Sequence, residues 1–253
     1  SLDRYRSLID QFGTTEVVGY SNDTADGRLL AVLESADDDG ERAGDMVEIF
    51  LDRTPFSAEA GGQIGDPGTI VTDTGTAEVL DTTYALPNLR RHTARVTSGS
   101  LSAGQAATAI IDRDRREKIR RNHTGTHLLH HALRVVLGDH VKQAGSWVGP
   151  DRLRFDFSHY EAVTPEQIDE IERIANEQTL QNRPTRTFET TKDEAEALGA
   201  IAFFGDKYGD IVRVLEAGDT IELCGGTHVA SNGDNGIVKV ISEPSIGSKL
   251  RRN

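Results

Sequence analysis

Three histidines and the chain's only cysteine lie in two short motifs that together could bind a metal ion. The motif HTGTH places His123 and His127 four residues apart, so their imidazoles share one face if the segment is helical. The motif ELCGGTHV places Cys224 four residues before His228, and the glycines between them permit a turn tight enough to bring thiolate and imidazole together. Three imidazoles and one thiolate are a ligand set typical of zinc. The sequence therefore predicts a Zn²⁺ site made of His123, His127, Cys224 and His228.

Two other kinds of chemistry use similar residues. A zincin protease carries Glu directly after its first histidine as the general base, whereas this chain has Thr124 there, which argues against a protease. A nucleophilic Cys224 would need a free thiolate and a dedicated base, and zinc coordination would consume that thiolate. His130 and His131 are interpreted as structural residues. The sequence leaves open whether all four ligands bind at once or one position stays open to water or substrate.

The first part of the chain is predicted to form short strands separated by Gly, Asp and Ser turn signals. This spacing favours a small β-barrel or sandwich, and ESADDDGERAG, residues 34–44, is predicted to be an acidic hairpin loop. After Asp112 the apolar residues recur at steps of three and four, which predicts a helix. We therefore expect an N-terminal barrel domain over 1–112, with 1–15 a linker from an upstream region, and a second domain over 113–253.

The second domain is expected to combine helices with a largely antiparallel sheet, so the fold class is α+β. RLRFDFSH, ending at residue 159, alternates in the manner of a half-buried strand. A helix is predicted to begin after Thr164, with Pro165 at its first position and Gln167 completing a capping box. The segment before Cys224 is predicted to be a hairpin that turns at residues 217–219, and GIVKVISE, which starts at residue 236, is predicted to be a further strand.

The charge of the chain limits where a nucleic acid could bind. The net charge is −13, but residues 113–121 carry six basic and two acidic side chains. This run is either a solvated helix face or a phosphate-binding patch. A single cysteine and the lack of a signal peptide or apolar span predict a cytoplasmic protein with no membrane partner. The candidate phosphate-binding residues are Arg113, Arg115, Arg116, Lys118, Arg120 and Arg121.

HTGTHLLHHAL together with ELCGGTHV resembles the paired zinc motifs of the editing domain of alanyl-tRNA synthetase and of its free-standing relatives. The resemblance extends to DRTPFSAEAGGQIGDPG, which is similar to the family's glycine-rich motif, and to GDKYGDIVRV and ISEPSIGSKLRR. Two positions depart from the family pattern: Ser57 stands where Tyr is common, and Gly125 where Ala is common. Nothing resembles an ATP-binding aminoacylation core, so we expect a middle segment of a longer synthetase.

The resemblance implies a zinc-dependent aminoacyl-tRNA deacylase. The expected reaction is hydrolysis of the ester that joins serine or glycine to the terminal adenosine of alanine tRNA, since an alanine-sized pocket rejects these two amino acids poorly. The expected partners are this tRNA and the rest of the synthetase chain. Alternatives are a non-catalytic, zinc-stabilised RNA-binding module, or the editing domain of threonyl-tRNA synthetase. The residues expected to line the amino-acid pocket are Thr54, Gly61, Gly62 and Gln63.

Overall fold

A computed structural model describes residues 2–36, 42–202, 209–241, 245–247 and 250–252 of the chain. Parts of the predicted acidic loop and of two motifs, GDKYGDIVRV and ISEPSIGSKLRR, lie outside these residues. The chain divides into two compact units: unit 1 comprises 1–60 and 64–116, and unit 2 comprises 61–63 and 117–253. The short segment 61–63 therefore groups with the second half of the chain, which no local sequence signal indicates.

Unit 1 is a closed, six-stranded antiparallel barrel with strand order β2-β3-β7-β6-β5-β8. Two short strands, β1 and β4, pair in parallel beside it. The strands are β1 (Glu16–Val17), β2 (Thr24–Ala36), β3 (Arg42–Leu51), β4 (Arg53–Thr54), β5 (Gly68–Val71), β6 (Gly75–Leu86), β7 (Leu89–Gly99) and β8 (Ala106–Ile111).

The barrel closes around apolar side chains that alternate along its strands, as the period of two in a half-buried strand requires. In β6, for example, Ala77 and Val79 point into the core while Glu78 and Leu80 point outwards. The sequence prediction missed β6, whose run of threonines and charges weakens its alternating signal. The barrel itself was predicted, and the mixed α+β fold class is confirmed.

Residues 1–15 differ from the predicted linker. They contain helix α1 (Asp3–Phe12), whose Tyr5 and Leu8 are buried against a cluster that includes Phe50 of the barrel. The Tyr5 hydroxyl also donates to the buried Glu48 carboxylate at 2.8 Å. Because burying an aromatic ring stabilises a fold by about 2 kcal/mol, this helix is part of unit 1 rather than a free connection.

Unit 2 is built around one long helix, α2, and two antiparallel sheets. The sheets have the strand orders β14-β15-β10-β9 and β11-β12-β13. The elements are α2 (Arg113–Leu137), β9 (Gln143–Val148), β10 (Leu153–Ser158), α3 (Pro165–Leu180), β11 (Arg186–Thr191), α4 (Lys192–Ala197), β12 (Ile211–Ala217), β13 (Thr220–Leu223), a 3-10 turn (Asn232–Asn235), β14 (Ser245–Gly247) and β15 (Leu250–Arg252).

Helix α2 contributes residues to two apolar clusters. Leu129 and Leu133 pack with Phe155 of β10 and with α3, whereas Leu128 packs with Leu215 and other residues near the β12–β13 hairpin. Successive helical residues point about 100° apart, so adjacent leucines serve different clusters. Because both clusters cover the middle of the helix, His123, His127 and His130 are buried there.

Two local predictions for unit 2 are confirmed. Thr164 caps α3: its side chain accepts from the Gln167 amide, and the Gln167 side chain accepts in return from the Thr164 amide. Strands β12 and β13 pair as a hairpin with Ala217 opposite Thr220, so the turn is shorter than predicted. The hairpin places Cys224 directly after β13.

The predicted strand at GIVKVISE is wrong for its described part, because residues 236–241 have no strand partner. Side chains of α3 bind this backbone instead. The Asn176 amide donates to the Val238 carbonyl and accepts from the Val238 N–H, and Glu172 accepts from the Val240 N–H. Because these polar groups are already satisfied, a strand ladder is not needed.

None of the described helices is long and apolar enough to cross a membrane.

His92 is fully buried in unit 1 and is held by two hydrogen bonds. Its Nδ1 lies 2.8 Å from the Ile49 carbonyl oxygen, and its Nε2 lies 2.8 Å from the Thr54 hydroxyl. Because the carbonyl can only accept, Nδ1 carries the proton, and Nε2 must accept from Thr54. Burial lowers the pKa of His92 to about 4, so the ring is neutral at physiological pH.

We expect His92 to make folding sensitive to acid. The unfolded chain protonates this imidazole below about pH 6.5, whereas the folded chain does so only near pH 4, so stability is full above pH 6.5 and is lost as the pH falls. The loss between pH 7 and pH 5 should be about 2 kcal/mol. Urea unfolding of the wild type and of His92→Gln at both pH values measures it. Identical pH dependence in the two proteins would contradict the expectation.

Candidate metal centre

Four ligand atoms from two distant segments converge in unit 2. The cluster comprises His123, His127, Cys224 and His228, whose ligand atoms all lie within 4.8 Å of one another. The Cys224 Sγ lies 3.3 Å from His123 Nε2 and 3.4 Å from His228 Nε2. The structure thus brings together all four predicted ligands, and His130 and His131 are not part of the cluster.

The spacing fits a tetrahedral ion. An ion about 2.3 Å from sulfur and about 2.0 to 2.1 Å from nitrogen holds those ligands about 3.5 Å apart when the angle between them is tetrahedral. The two observed sulfur-to-nitrogen distances, 3.3 and 3.4 Å, are close to this value. The four residues could therefore hold a metal ion.

The tautomer of His123 is fixed by Gln63. The Gln63 Oε1 lies 3.0 Å from the Thr227 amide nitrogen and 2.7 Å from His123 Nδ1. A backbone N–H can only donate, so the Gln63 atom facing it must be the oxygen. His123 Nδ1 must then donate to the same oxygen, which leaves its Nε2 lone pair directed at the cluster.

His127 is oriented by a carboxylate. The Glu222 side chain accepts from His127 Nδ1 through one oxygen and from His130 Nδ1, at 2.7 Å, through the other. All three side chains are buried. A carboxylate behind a ligating histidine fixes the ring and raises its basicity, as is common around bound metals. This contact also explains why His130 is buried although it is not a ligand.

His228 is oriented by Thr124, the residue that stands where a protease would carry its glutamate. The Thr124 hydroxyl lies 3.2 Å from His228 Nδ1 and accepts from the Val229 amide at the same distance. All three histidine ligands therefore have Nδ1 bonded to a neighbour and Nε2 facing the cluster. This shared arrangement is what a metal site requires and what unrelated buried histidines would not be expected to show.

The pKa values of the clustered side chains show how the negative charge of the Cys224 thiolate is balanced. Burial alone raises the pKa of Cys224, but the neighbouring histidines outweigh it and lower that pKa well below its usual range. Burial likewise lowers the pKa of His127, but the Glu222 carboxylate and the Cys224 thiolate raise it to about 10. For His228, burial dominates and lowers the pKa to about 4. A cation that binds here must displace the His127 proton.

Two glycines are needed where the backbone passes close to other atoms. A Cβ at Gly226 would lie 2.0 Å from the His123 ring, so only glycine allows the Cys224–His228 turn to approach the HTGTH motif this closely. Gly62 has φ of +87°, and a Cβ there would lie 2.6 Å from the Ser146 carbonyl oxygen. The Gly62 carbonyl in turn accepts from the Val148 amide, which places Gln63 beside β9.

The other predicted pocket residues differ in their surroundings. Gly61 adopts a positive φ, and its carbonyl accepts from the Ser146 hydroxyl at 3.3 Å within unit 2. Thr54 is buried in unit 1, where its hydroxyl donates to His92 and accepts from the Phe56 amide. Its proton is therefore already used, and one lone pair remains to accept a further hydrogen bond.

The basic run at 113–121 does not act as one surface. Arg116 is 0% exposed: its guanidinium binds the buried Asp66 carboxylate and donates to the carbonyls of Gly19 and Pro55. The prediction that Arg116 contacts tRNA is therefore wrong, because its guanidinium is fully buried and each of its three nitrogens already has a partner within unit 1. Arg113, Lys118 and Arg121 are exposed, while Arg115 and Arg120 are half-buried.

Sequence reasoning missed several residues that support the cluster. Glu222 stands two positions before Cys224 and was available in the same motif, but a single carboxylate beside a strand end gives no specific signal. Thr124 and Thr227 likewise give no specific signal in the sequence. Gln63 was predicted as a pocket residue, but its side-chain oxygen accepts a hydrogen bond from His123.

The structure accommodates the two residues that depart from the family pattern, Gly125 and Ser57. A Cβ at Gly125 would meet nothing nearer than 3.4 Å, and the Ser57 backbone N–H donates to the Asp66 carboxylate.

Comparison with known families finds that both ends of this chain are similar to aminoacyl-tRNA synthetases. Residues 2–115 match the family described as tRNA synthetases class II (A). Residues 212–252, which contain Glu222, Cys224 and His228, match the family described as threonyl and alanyl tRNA synthetase second additional domain.

The particular relatives are alanine–tRNA ligases. The chain is 45% identical to that of Paracoccus denitrificans over 261 residues, covering 97% of this chain and 29% of the relative. It is 46% identical to that of Acetivibrio thermocellus, covering 99% and 29%. The chain thus spans less than a third of the length of these relatives. The matches fit an editing fragment of an alanyl-tRNA synthetase, which confirms the resemblance stated above.

We expect the neighbours of the ligands to control metal affinity. Glu222→Gln should weaken binding about 10- to 100-fold, because a neutral amide fixes the His127 ring less firmly than the carboxylate and makes it less basic, and Cys224→Ala should abolish tight binding. Chelator competition with Zn²⁺ measures both. His131→Ala is the matched control, because His131 follows His127 by one helical turn but is not a ligand. Wild-type affinity in Glu222→Gln would contradict the assignment.

We expect Arg116 to stabilise unit 1 rather than to bind RNA. Arg116→Met should lower the free energy of unfolding by about 3 to 5 kcal/mol, because it leaves the Asp66 carboxylate buried and unpaired. Arg121→Met, on the exposed side of the same helix, should change it by less than about 0.5 kcal/mol. Urea unfolding measures both effects. Adding Asp66→Asn to Arg116→Met should restore part of the loss, and a further loss would argue against the pairing.

Proposed function

We propose that this chain hydrolyses seryl- and glycyl-tRNA of the alanine isoacceptor at the ester of the terminal adenosine, with Zn²⁺ held by His123, His127, Cys224 and His228. The observation that carries the proposal is the cluster itself: the ligand atoms of three imidazoles, each oriented through Nδ1, and of one thiolate lie within 4.8 Å of one another. Support comes from the family matches, which relate both ends of the chain to alanyl-tRNA synthetases.

The residues of the cluster suit ester hydrolysis. When bound, zinc would supply an electrophile for the ester carbonyl. Cys224 and the three histidines are buried or half-buried and would exclude bulk water from that ion. A soft thiolate with imidazoles favours zinc over hard cations such as magnesium, which prefer oxygen ligands. The donor set therefore fits the proposed metal.

Gln63 is proposed to bind the substrate as well as to orient His123. Its oxygen already accepts from His123 Nδ1, from the Thr227 amide and from the Thr227 hydroxyl at 3.3 Å. The carbonyl is therefore fixed in direction, and only the amide NH₂ remains to act as a donor. We propose that this NH₂ donates to the ester carbonyl or to the attacking water. Gly61 and Gly62 would hold this side chain in place through their contacts with β9.

Thr54 is proposed to recognise serine. Because its proton is donated to His92, Thr54 can only accept from a ligand, and the serine hydroxyl can donate. Alanine and glycine offer no such donor. Thr54 would therefore favour serine, while glycine would depend on its small size. The exposed cations of the basic run, Arg113, Lys118 and Arg121, are proposed to contact tRNA phosphates, with the half-buried Arg115 and Arg120 contributing less.

We expect the zinc-loaded chain to hydrolyse seryl-tRNA and glycyl-tRNA of the alanine isoacceptor well above the spontaneous rate and to leave alanyl-tRNA intact. The measurement is loss of labelled amino acid from each tRNA with time. Chelated protein and Cys224→Ala should be inactive, because the electrophile is lost. His131→Ala, which keeps the cluster, should remain active.

Two results would overturn this proposal. Inertness towards all three substrates, in protein that holds zinc and binds tRNA, would indicate a non-catalytic, zinc-stabilised RNA-binding module. Preferential hydrolysis of seryl-tRNA of the threonine isoacceptor would indicate the editing activity of a threonyl-tRNA synthetase instead.

A further inference from the structure

A second concave site lies in unit 2, on a different side of α2 from the metal cluster. It has a volume of about 810 Å³, and Asn122, Gly125 and Leu129 of α2 form one wall. These residues recur at steps of three and four and so share a helix face, whereas His123 and His127 point elsewhere. We call this site the basic cleft. The lining residues used below are Arg121, Trp147, Asp151, Arg152, Arg154 and Lys239.

The basic cleft is positively charged, whereas the chain as a whole is negatively charged. Its lining includes four cationic side chains and one carboxylate, although the whole chain carries a net charge of −13. Arg154 pairs with Asp156 at 3.4 Å, and Lys239 with Glu172 at 3.4 Å. Within the described part of the chain, Arg121 and Arg152 have no ion pair. Both are exposed, so two cations remain for a ligand.

The basic cleft also contains an aromatic ring and exposed aliphatic side chains. Trp147 of β9 lies in its wall, half-buried, with the Arg152 guanidinium 5.6 Å from the ring centroid. Ile237 and Ile241, in the segment without a strand partner, are 87% and 88% exposed. Fixed cations beside an aromatic ring are the features with which proteins bind single-stranded nucleic acid: the cations contact phosphates, and bases stack on the ring.

We propose that the basic cleft binds the ribose-phosphate backbone of an unpaired stretch of tRNA, with Arg121 and Arg152 on phosphates and a base against Trp147. The proposal rests on the proposed function for its choice of RNA. Because the basic cleft lies on a different α2 face from the ligands, the stretch it holds is not the esterified adenosine. It is a positioning contact elsewhere in the same molecule.

The chain's single tryptophan makes the test specific. The full chain is titrated with uncharged alanine tRNA while Trp147 emission and its quenching by acrylamide are followed, with excitation at the red edge where tRNA absorbs little. Bound tRNA should change the emission and protect Trp147 from the quencher. Unchanged emission and quenching at saturating tRNA overturn the proposal, as does protection by polyglutamate but not by tRNA.

Charge removal gives a second, independent readout. Arg121→Gln with Arg152→Gln should lower the slope of log affinity against log salt by about 1.4, since each phosphate contact in single-stranded nucleic acid contributes about 0.7. Arg173→Gln is the control: this exposed arginine of α3 pairs with Glu170 and Glu177, and its loss should leave the slope unchanged. Arg152→Lys should keep most of the slope. A double variant with the wild-type slope overturns the proposal.

Hydrolysis separates this proposal from the proposed function. If the chain hydrolyses seryl-tRNA but tRNA leaves Trp147 unprotected, tRNA binding in the basic cleft is refuted and the proposed deacylase activity is retained. If tRNA protects Trp147 and the double variant has the lowered salt slope, but no ester is hydrolysed with zinc bound, tRNA binding in the basic cleft is retained and the proposed deacylase activity is refuted. Zinc content equal to that of the wild type shows that each variant is folded.

Discussion

The structure of unit 2 depends on burying a thiolate among imidazoles. Taking an isolated ionised group out of water is costly, and the protein meets that cost with nearby positive charge. Cys224 has three histidines around it, and the raised pKa of His127 means that one of them keeps a proton when no cation is bound. Glu222 then stabilises that proton from the far side. A bound cation would replace it, and metal binding would then be coupled to the folding of this unit through one charge.

Much of unit 2 serves to hold those side chains in fixed directions. Helix α2 supplies two ligands and is covered by apolar contacts with Phe155 on one side and Leu215 on another, so it cannot rotate without opening either cluster. The β12–β13 hairpin ends at Cys224, and the glycine at 226 lets its turn approach His123 closely. Each histidine is then oriented by a hydrogen bond at Nδ1. Rigid support of this kind determines which nitrogen of each ring faces the cluster.

Two arginines of helix α2 show that the same side chain can be a buried structural group at one position and an exposed cation at another. Arg116 and Arg121 are five residues apart on α2, yet the first is enclosed by Asp66 and backbone carbonyls and the second faces solvent at the basic cleft. A buried guanidinium whose three nitrogens all have hydrogen-bond partners contributes to the stability of unit 1. An exposed one that has no carboxylate partner among the described residues is available to an anion. Total charge, which is strongly negative, therefore says little about where an anionic ligand could bind.

The sequence alone determined the features that depend on short spacings. Two histidines four apart, a CGGTH turn, the Thr164 capping box and the alternation of the barrel strands are all set by residues close in the chain, where periodicity is a direct guide. Only the tertiary structure decided the rest. The pairing of Glu222 with His127, of Gln63 with His123 and of Arg116 with Asp66 joins residues 50 to 95 positions apart, and no local pattern encodes such contacts. Residues 236–241 are the converse case: their apolar alternation favours a strand, but Asn176 and Glu172 bind the backbone first, because the side chains of α3 are near enough to satisfy it.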